Sequence, residues 1–363
     1  MKNKDMTIAE ICLNDALGGL ELTAANCFEY FKNKTNCYAI VAPDTKLDKL
    51  IDNKNKFTVK RNKILPLIPA FKLAKLIDNN NIDILHFHLG KDIIPIVLAK
   101  IISKKKPIII YSRHMNMTRF KNDIYHRWLY KNINMLHAVS RQVKEQLEKY
   151  IPSSARPPIE LVYLGTKESS IDENKIETLK SKYNLENTFV VGMIGRIEDE
   201  KGQHILIEAI SKLNNPNVKA LIIGSAPREE YMKKLKEMVK SLNIEDKVIF
   251  TGFTKEVNEH MKLCDASVLA TKKETFGLVV IESMRNKVCT IATNNGGPLE
   301  IIDDNINGLL FDRTPQDLAS KIEYLYNNPD IKNSLASSGY EKAKREFDYE
   351  TQMQKLYNAI QSV

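Results

Sequence analysis

Glu274 and Glu282 stand eight positions apart in the stretch KETFGLVVIES, and what lies between them gives the pair chemical meaning. A Thr-Phe-Gly turn follows the first carboxylate, and an apolar run over 278–281 leads to the second. Gly277 lets the backbone come close to a ligand, and a helix starting there turns unpaired N–H groups toward an anion. Carboxylates only accept hydrogen bonds, so they suit hydroxyls. A ligand with both hydroxyls and a diphosphate, such as a sugar nucleotide, satisfies all of these groups. The competing reading is an amphipathic helix with two solvated glutamates, and E-x7-E alone does not separate the two.

Three further segments sit where strands are expected to end, the edge at which open α/β sheets bind ligands. Gly195-Arg196 is followed by Lys201-Gly202. An Arg fork and a Lys point charge five residues on can neutralise a departing diphosphate without a metal; a charged surface turn is the alternative. Gly224 ends a second run, and Thr251-Gly252-Phe253 ends a third, where backbone groups can read a base. A fourth turn, Asn295-Gly296-Gly297-Pro298 with Glu300, follows the glutamate pair. Near the N-terminus, Gly18-Gly19-Leu20-Glu21 leaves room for phosphate or sugar before a helix, but lacks the full G-x-G-x-x-G of a dinucleotide fold.

His86 and His88 flank Phe87 and would point to one side of a strand, as a metal pair does. No Cys or third His stands near them in sequence, so no metal is assigned. His114, in YSRHMNM, is the stronger functional candidate. Around it Arg113, Arg119, Lys121, His126 and Arg127 make a basic cluster suited to an anionic acceptor. A solvated helix face explains the later members equally well.

The elements that must position these residues follow a simple pattern. Short apolar runs at 8–13, 37–42, 82–87, 108–111 and 135–139 read as strands, with helical stretches near 20–33, 66–80, 92–103, 122–132 and 140–150 between them. Ser140 is a ready N-cap. Helix is untenable at IPSSARPP, 151–158. A second α/β set has strands at 189–194, 220–223, 248–251, 266–270 and 290–292, joined to the first by a segment near 163–187. At 363 residues, two domains are the natural expectation.

Residues 1–180 carry 30 Lys and Arg against 19 Asp and Glu, a net of +11 within an overall +9, so the second half is slightly acidic. A basic first half points to an anionic surface or acceptor, against the plainer alternative of a Lys-rich composition. The five cysteines, odd in number and without CxxC spacing, fit reduced thiols. No apolar stretch reaches membrane-spanning length, and the N-terminus lacks a sustained apolar core, so neither a span nor export is expected.

Taken together, GG near the N-terminus, the mid-domain histidine, GR-x4-KG, E-x7-E and a closing helix resemble the retaining glycosyltransferases of family 4. The resemblance covers nearly the whole chain. It implies an α/β GT-B fold: two Rossmann-like doubly wound domains facing a central cleft. Residues 1–165 would bind acceptor, 166–346 would bind nucleotide sugar, and 347–363 would return to pack on the first domain. It further implies that Arg196, Lys201, Glu274 and His114 are catalytic: the cations on the diphosphate, Glu274 on sugar hydroxyls, His114 on the transferred sugar. Gly18, Gly19, Gly195, Gly224, Phe253, Phe276, Gly277, Leu278 and Glu282 would hold the donor, Glu282 at its ribose. Arg113, Arg119 and Lys121 would face the acceptor. Front-face attack, with the donor phosphate taking the proton, is the implied mechanism. Where relatives often carry Asn-Gly at the domain junction, this chain has Tyr163-Leu164-Gly165-Thr166.

The expected function is transfer of a hexose-type sugar from a UDP- or GDP-sugar to a lipid-linked saccharide in lipopolysaccharide, O-antigen or capsule synthesis. No cofactor or metal is expected. The expected setting is cytoplasmic, peripheral on an anionic inner membrane face, without nucleic acid as partner. Two alternatives stay open: an NDP-sugar epimerase on the same architecture, discriminated by acceptor-independent chemistry, and a basic scaffold for membrane or nucleic acid. The scaffold predicts salt-dependent nucleic-acid affinity and no nucleotide-sugar binding, and the lysines lack the interleaved aromatics it needs.

Overall fold

The computed structural model describes residues 6–52, 54–62, 64–168 and 170–363. Residues 1–5 lie outside the described residues, as does residue 169 in the expected connecting segment. The chain divides into two compact units, one of residues 1–164 with 351–363, the other of residues 165–350.

The first unit is built on seven parallel strands: β1 (Thr7–Cys12), β2 (Asn36–Val41), β3 (Lys56–Thr58), β4 (Ile84–Phe87), β5 (Ile108–Arg113), β6 (Met135–Ala138) and β7 (Ile159–Leu161). Their order is β3-β2-β1-β4-β5-β6-β7, so the winding reverses between β1 and β4. Runs such as TIAEIC and MLHA are buried at every position. Helices cover both faces of such a sheet, which is why its strands read as continuous rather than alternating apolar runs. Helices Gly19–Phe31, Leu67–Asn79, Ile93–Ile102, Ile124–Lys131 and Arg141–Tyr150 fall where the sequence places them. Ser140 caps the last of these, accepting from the Val143 N–H at 3.2 Å. The helix Tyr349–Gln361 lies against Gly19–Phe31: Tyr30 donates to Gln354 at 2.8 Å, and Cys27 and Met353 sulfurs are 4.0 Å apart.

The second unit repeats the design with six parallel strands: β8 (Phe189–Ile194), β9 (Val218–Ile223), β10 (Val248–Gly252), β11 (Ala266–Leu269), β12 (Cys289–Thr293) and β13 (Leu309–Phe311). The order β10-β9-β8-β11-β12-β13 again reverses beside the unit's first strand, between β8 and β11. Both units are thus Rossmann-like and doubly wound. A core of Val191, Ile207, Ile222, Val268, Ile291 and Leu318, among others, joins sheet to helices.

Three strands escaped the sequence reading. β3, β7 and β13 have three residues each, with no position of β3 fully buried, too short and too weakly patterned for a period to show. The connecting segment near 163–187 also holds more structure than a linker: its helix Glu173–Lys182 buries Leu179 with Leu185, Val190 and Leu221 in a core of the second unit. All five cysteines are free and buried. No helix among the described residues is long and apolar enough to cross a membrane.

Candidate active site

In the second unit the reversal point gathers the charged residues singled out above. The loop after β8 carries Arg196 and Lys201; the loop after β11 carries Glu274. Lys201 Nζ lies 3.3 Å from Glu274 Oε2. Two backbone features hold these loops together. Lys272 N–H donates to the Glu200 carbonyl at 2.9 Å. Gly202, at φ +86°, packs so closely on Ala270 that an added Cβ would stand 2.6 Å from its carbonyl oxygen. Gln203 donates to the Arg196 carbonyl at 3.0 Å, while the Arg196 guanidinium is solvent-facing and 3.2 Å from Glu198.

Strand ends 8, 9 and 10 finish on Gly195, Gly224 and Gly252, all with positive φ. Gly224, at φ +140°, lies against the Gly195 carbonyl with no space for a side chain. Phe253 follows, 73% exposed, an apolar ring left in solvent beside a strand end. The loop 274–277 runs over buried Phe276 to Gly277, at φ +107°, and the helix Leu278–Arg285 starts there. Gly297 N–H donates to the Glu274 carbonyl at 3.0 Å, so the Asn-Gly-Gly-Pro turn braces this loop. Glu282 lies on that helix, and burial pushes its carboxyl above the ordinary range.

In the first unit Gly18 and Gly19 open the helix Gly19–Phe31. Gly18 is extended at φ −157°, and a Cβ on Gly19 would meet nothing within 4 Å. The fold itself does not demand glycine at either position. Leu13 N–H and Arg61 both bind buried Asp92, at 2.9 and 3.3 Å, and burial raises its pKa to about 6. The Arg113 guanidinium donates to the carbonyls of Met115 and Asn116 and to the Tyr111 hydroxyl, at 2.6–2.8 Å. With Lys121 and Tyr125 it lines a hollow of about 350 Å³ whose floor includes Leu89 and Tyr130. Arg119 is exposed.

His114 follows β5 and connects to a row of polar side chains that the sequence does not show as a group. Its Nε2 is 3.0 Å from His88 Nδ1, and His88 Nε2 is 2.9 Å from Glu10 Oε2. Glu10 Oε1 lies 2.6 Å from His86 Nδ1, and His86 Nε2 lies 2.6 Å from Ser112 Oγ. Ser112 Oγ is 2.6 Å from His137 Nδ1, whose Nε2 faces the Val162 carbonyl at 2.8 Å. Burial lowers the pKa of His86 to about 3 and of His88 and His137 to about 4, holds His114 well below its usual value, and raises that of Glu10. Glu10, Ser112 and His137 were missed by the sequence reading; the signal available was polar residues inside otherwise apolar strands. Cys27 also comes within reach: its donor atom and those of Glu10, His86 and His88 all lie within 4.8 Å of one another. The Cys missing near His86 in sequence comes from the helix Gly19–Phe31.

Two Rossmann-like doubly wound units, the second with paired cation and carboxylate at its reversal point, make an α/β architecture of the GT-B class. The family model for Glycosyltransferase Family 4 matches residues 17–169, and that for Glycosyl transferases group 1 matches 175–342. The chain belongs to these family 4 glycosyltransferases. Among relatives, glycosyltransferase MJ1178 of Methanocaldococcus jannaschii is 29% identical over 73% of this chain and 71% of its own length. The capsular polysaccharide biosynthesis glycosyltransferase CapM of Staphylococcus aureus is 26% identical over 52% of this chain and 51% of its own. Of solved structures, Anabaena HepE, in complex with UDP-glucose, shares the fold with a TM-score of 0.87 at 21% identity, over 99% of this chain and 100% of that one.

Proposed function

We propose that this glycosyltransferase moves a hexose-type sugar, with retention, from a UDP- or GDP-sugar to a lipid-linked saccharide in cell-surface polysaccharide synthesis. The observation that carries the donor half is the Lys201–Glu274 pair beside exposed Arg196 at the reversal of the second sheet. A diphosphate takes Arg196 and Lys201 as its counter-charges, and no divalent ion is needed for leaving-group stabilisation. Glu274, released from Lys201 by that exchange, accepts from sugar hydroxyls. Glu282 takes the ribose, exposed Phe253 stacks on the base, and backbone N–H groups of Phe276, Gly277 and Leu278 meet sugar or phosphate. Gly18 and Gly19, glycines without a local conformational need, leave the space for a ligand. UDP is the first base to test, because HepE binds UDP-glucose.

The acceptor half rests on the first unit. Its exposed surface includes Ile64, Leu65, Leu67, Ile68 and Phe71, beside exposed Lys60, Lys72 and Lys75. A second group joins Phe120, Ile124 and Trp128 to Arg119. Apolar side chains among cations suit the interface of an anionic leaflet, each cation adding about 1 kcal/mol near the surface. The hollow beside Arg113 and Lys121, apolar below and cationic at its edge, fits the head of a lipid-linked acceptor. CapM, named for capsule synthesis, supports this class of product.

The testing experiment is calorimetric titration of UDP, GDP and their sugars, in EDTA, into the wild-type chain and Arg196→Ala. Micromolar binding of one nucleotide, lost in the variant, is the expected result. A folded wild-type chain that binds none of them would sink the reading. Conversion of the donor to an epimeric NDP-sugar with no acceptor present would favour the epimerase instead.

A further inference from the structure

With its imidazoles neutral, the row from His114 to Val162 has one consistent set of proton positions. Val162 offers a carbonyl, which only accepts, so His137 must carry its proton on Nε2. Neutral His137 then accepts at Nδ1, and the single Ser112 hydroxyl hydrogen is committed to it. Ser112 Oγ therefore accepts from His86 Nε2–H. Neutral His86 has its lone pair on Nδ1, 2.6 Å from Glu10 Oε1, and a proton must lie between them. Burial disfavours an ionised Glu10 beside a doubly protonated His86, pushing the carboxyl up and His86 down to about 3. The proton belongs to Glu10. Its other oxygen then accepts from His88 Nε2–H, and His88 Nδ1 accepts from His114 Nε2–H.

We propose that protonated Glu10 and His88 are positioning residues: through one directed line of hydrogen bonds they hold His114 in the tautomer with its proton on Nε2. Nδ1 is then an acceptor, and whatever meets it must donate, as a sugar hydroxyl does. The register builds the line into the sheet. Glu10 pairs with His86 across β1 and β4, and Ser112 with His137 across β5 and β6. Phe31 lies over His86, at 6.2 Å between ring centres, and Tyr357 of the closing helix lies over Phe31. The same residues do not make a convincing cation cage. Ligand atoms around tetrahedral zinc, about 2.0–2.3 Å from the ion, stand roughly 3.3 Å or more apart. Here the Glu10 oxygens sit at hydrogen-bond distance, 2.6 and 2.9 Å, from the imidazoles.

The tautomer does not depend on the transferase reading; its consequence for sugar transfer rests on it. The test uses the full chain with ¹⁵N-labelled histidine, whose nitrogen shifts separate protonated from unprotonated positions. Wild type at pH 7 should show His114 as Nε2–H. Glu10→Gln should preserve this, because the amide NH₂ donates to His86 while its carbonyl accepts from His88, and kcat should stay within about threefold. His88→Phe should mix the His114 tautomers and lower kcat at least about tenfold, with KM for the donor changed much less. His114 found as Nδ1–H overturns the proposal. So does Glu10→Gln scrambling the tautomer in a chain of unchanged Tm, which would mean an ionised Glu10. Micromolar zinc uptake by wild type, lost in His86→Gln, overturns it also. If His88→Phe does not fold, the wild-type spectrum and Glu10→Gln still decide. If no nucleotide sugar binds, the spectra stand while the transfer reading fails.

Discussion

Lys201 and Glu274 face each other at 3.3 Å, both partly exposed, so their mutual attraction contributes little to stability. Their value lies in what replaces the contact. If a diphosphate takes Lys201, Lys201→Ala should cut kcat/KM for transfer about 100-fold, the scale seen when one charge-stabilising donor is removed. Its Tm should hardly move, and a fall of more than a few degrees would argue for a structural role. Gly224 makes the opposite case. At φ +140° and pressed on the Gly195 carbonyl, it has no place for a Cβ. Gly224→Ala should cost at least about 2 kcal/mol in urea unfolding. An unchanged midpoint would mean that the strand-end loops yield easily.

At the scale of elements, the helix Leu67–Asn79 presents two faces. Ala70, Leu73, Ala74 and Ile77 are buried, whereas Leu67, Ile68 and Phe71 are 50–59% exposed, with Lys72 and Lys75 beside them. Apolar side chains left in water beside lysines are what an interfacial helix presents. Ile68→Glu with Phe71→Glu should therefore weaken co-sedimentation with vesicles containing phosphatidylglycerol by tenfold or more, at unchanged Tm. High salt should weaken binding of the wild type as well. Equal binding by wild type and variant would remove this helix from the membrane reading.

For the whole molecule, pH acts mainly through the first unit's buried row. His86, His88, His114 and His137 have folded pKa values below 6.5, so the unfolded chain binds protons that the folded one does not. Their stabilising contribution is complete above pH 6.5 and declines as pH falls toward their folded values of about 3 to 4. Glu10, raised by burial, acts in the other sense: it holds a proton when folded that the unfolded chain has lost above about pH 4.5. It offsets part of the histidines' effect. Tm should thus fall between pH 7 and pH 5, and Glu10→Gln should steepen the loss. A flat Tm across that interval would contradict neutral buried imidazoles.

The sequence by itself determined the two α/β sets and the strand-end positions of Arg196, Lys201, Gly224 and Glu274, because parallel strands buried on both faces leave long apolar runs with clear ends. It did not resolve β3, β7 or β13, whose three residues are too few to show a period, nor the helix Glu173–Lys182 inside an expected linker. The tertiary structure alone decided the company His114 keeps. Glu10, His88, Ser112 and His137 come from β1, the end of β4, β5 and β6, and only strand order and register make them neighbours. Hydrogen bonds act over about 3 Å, and a linear chain carries no record of which residues 25 to 78 positions apart will stand that close.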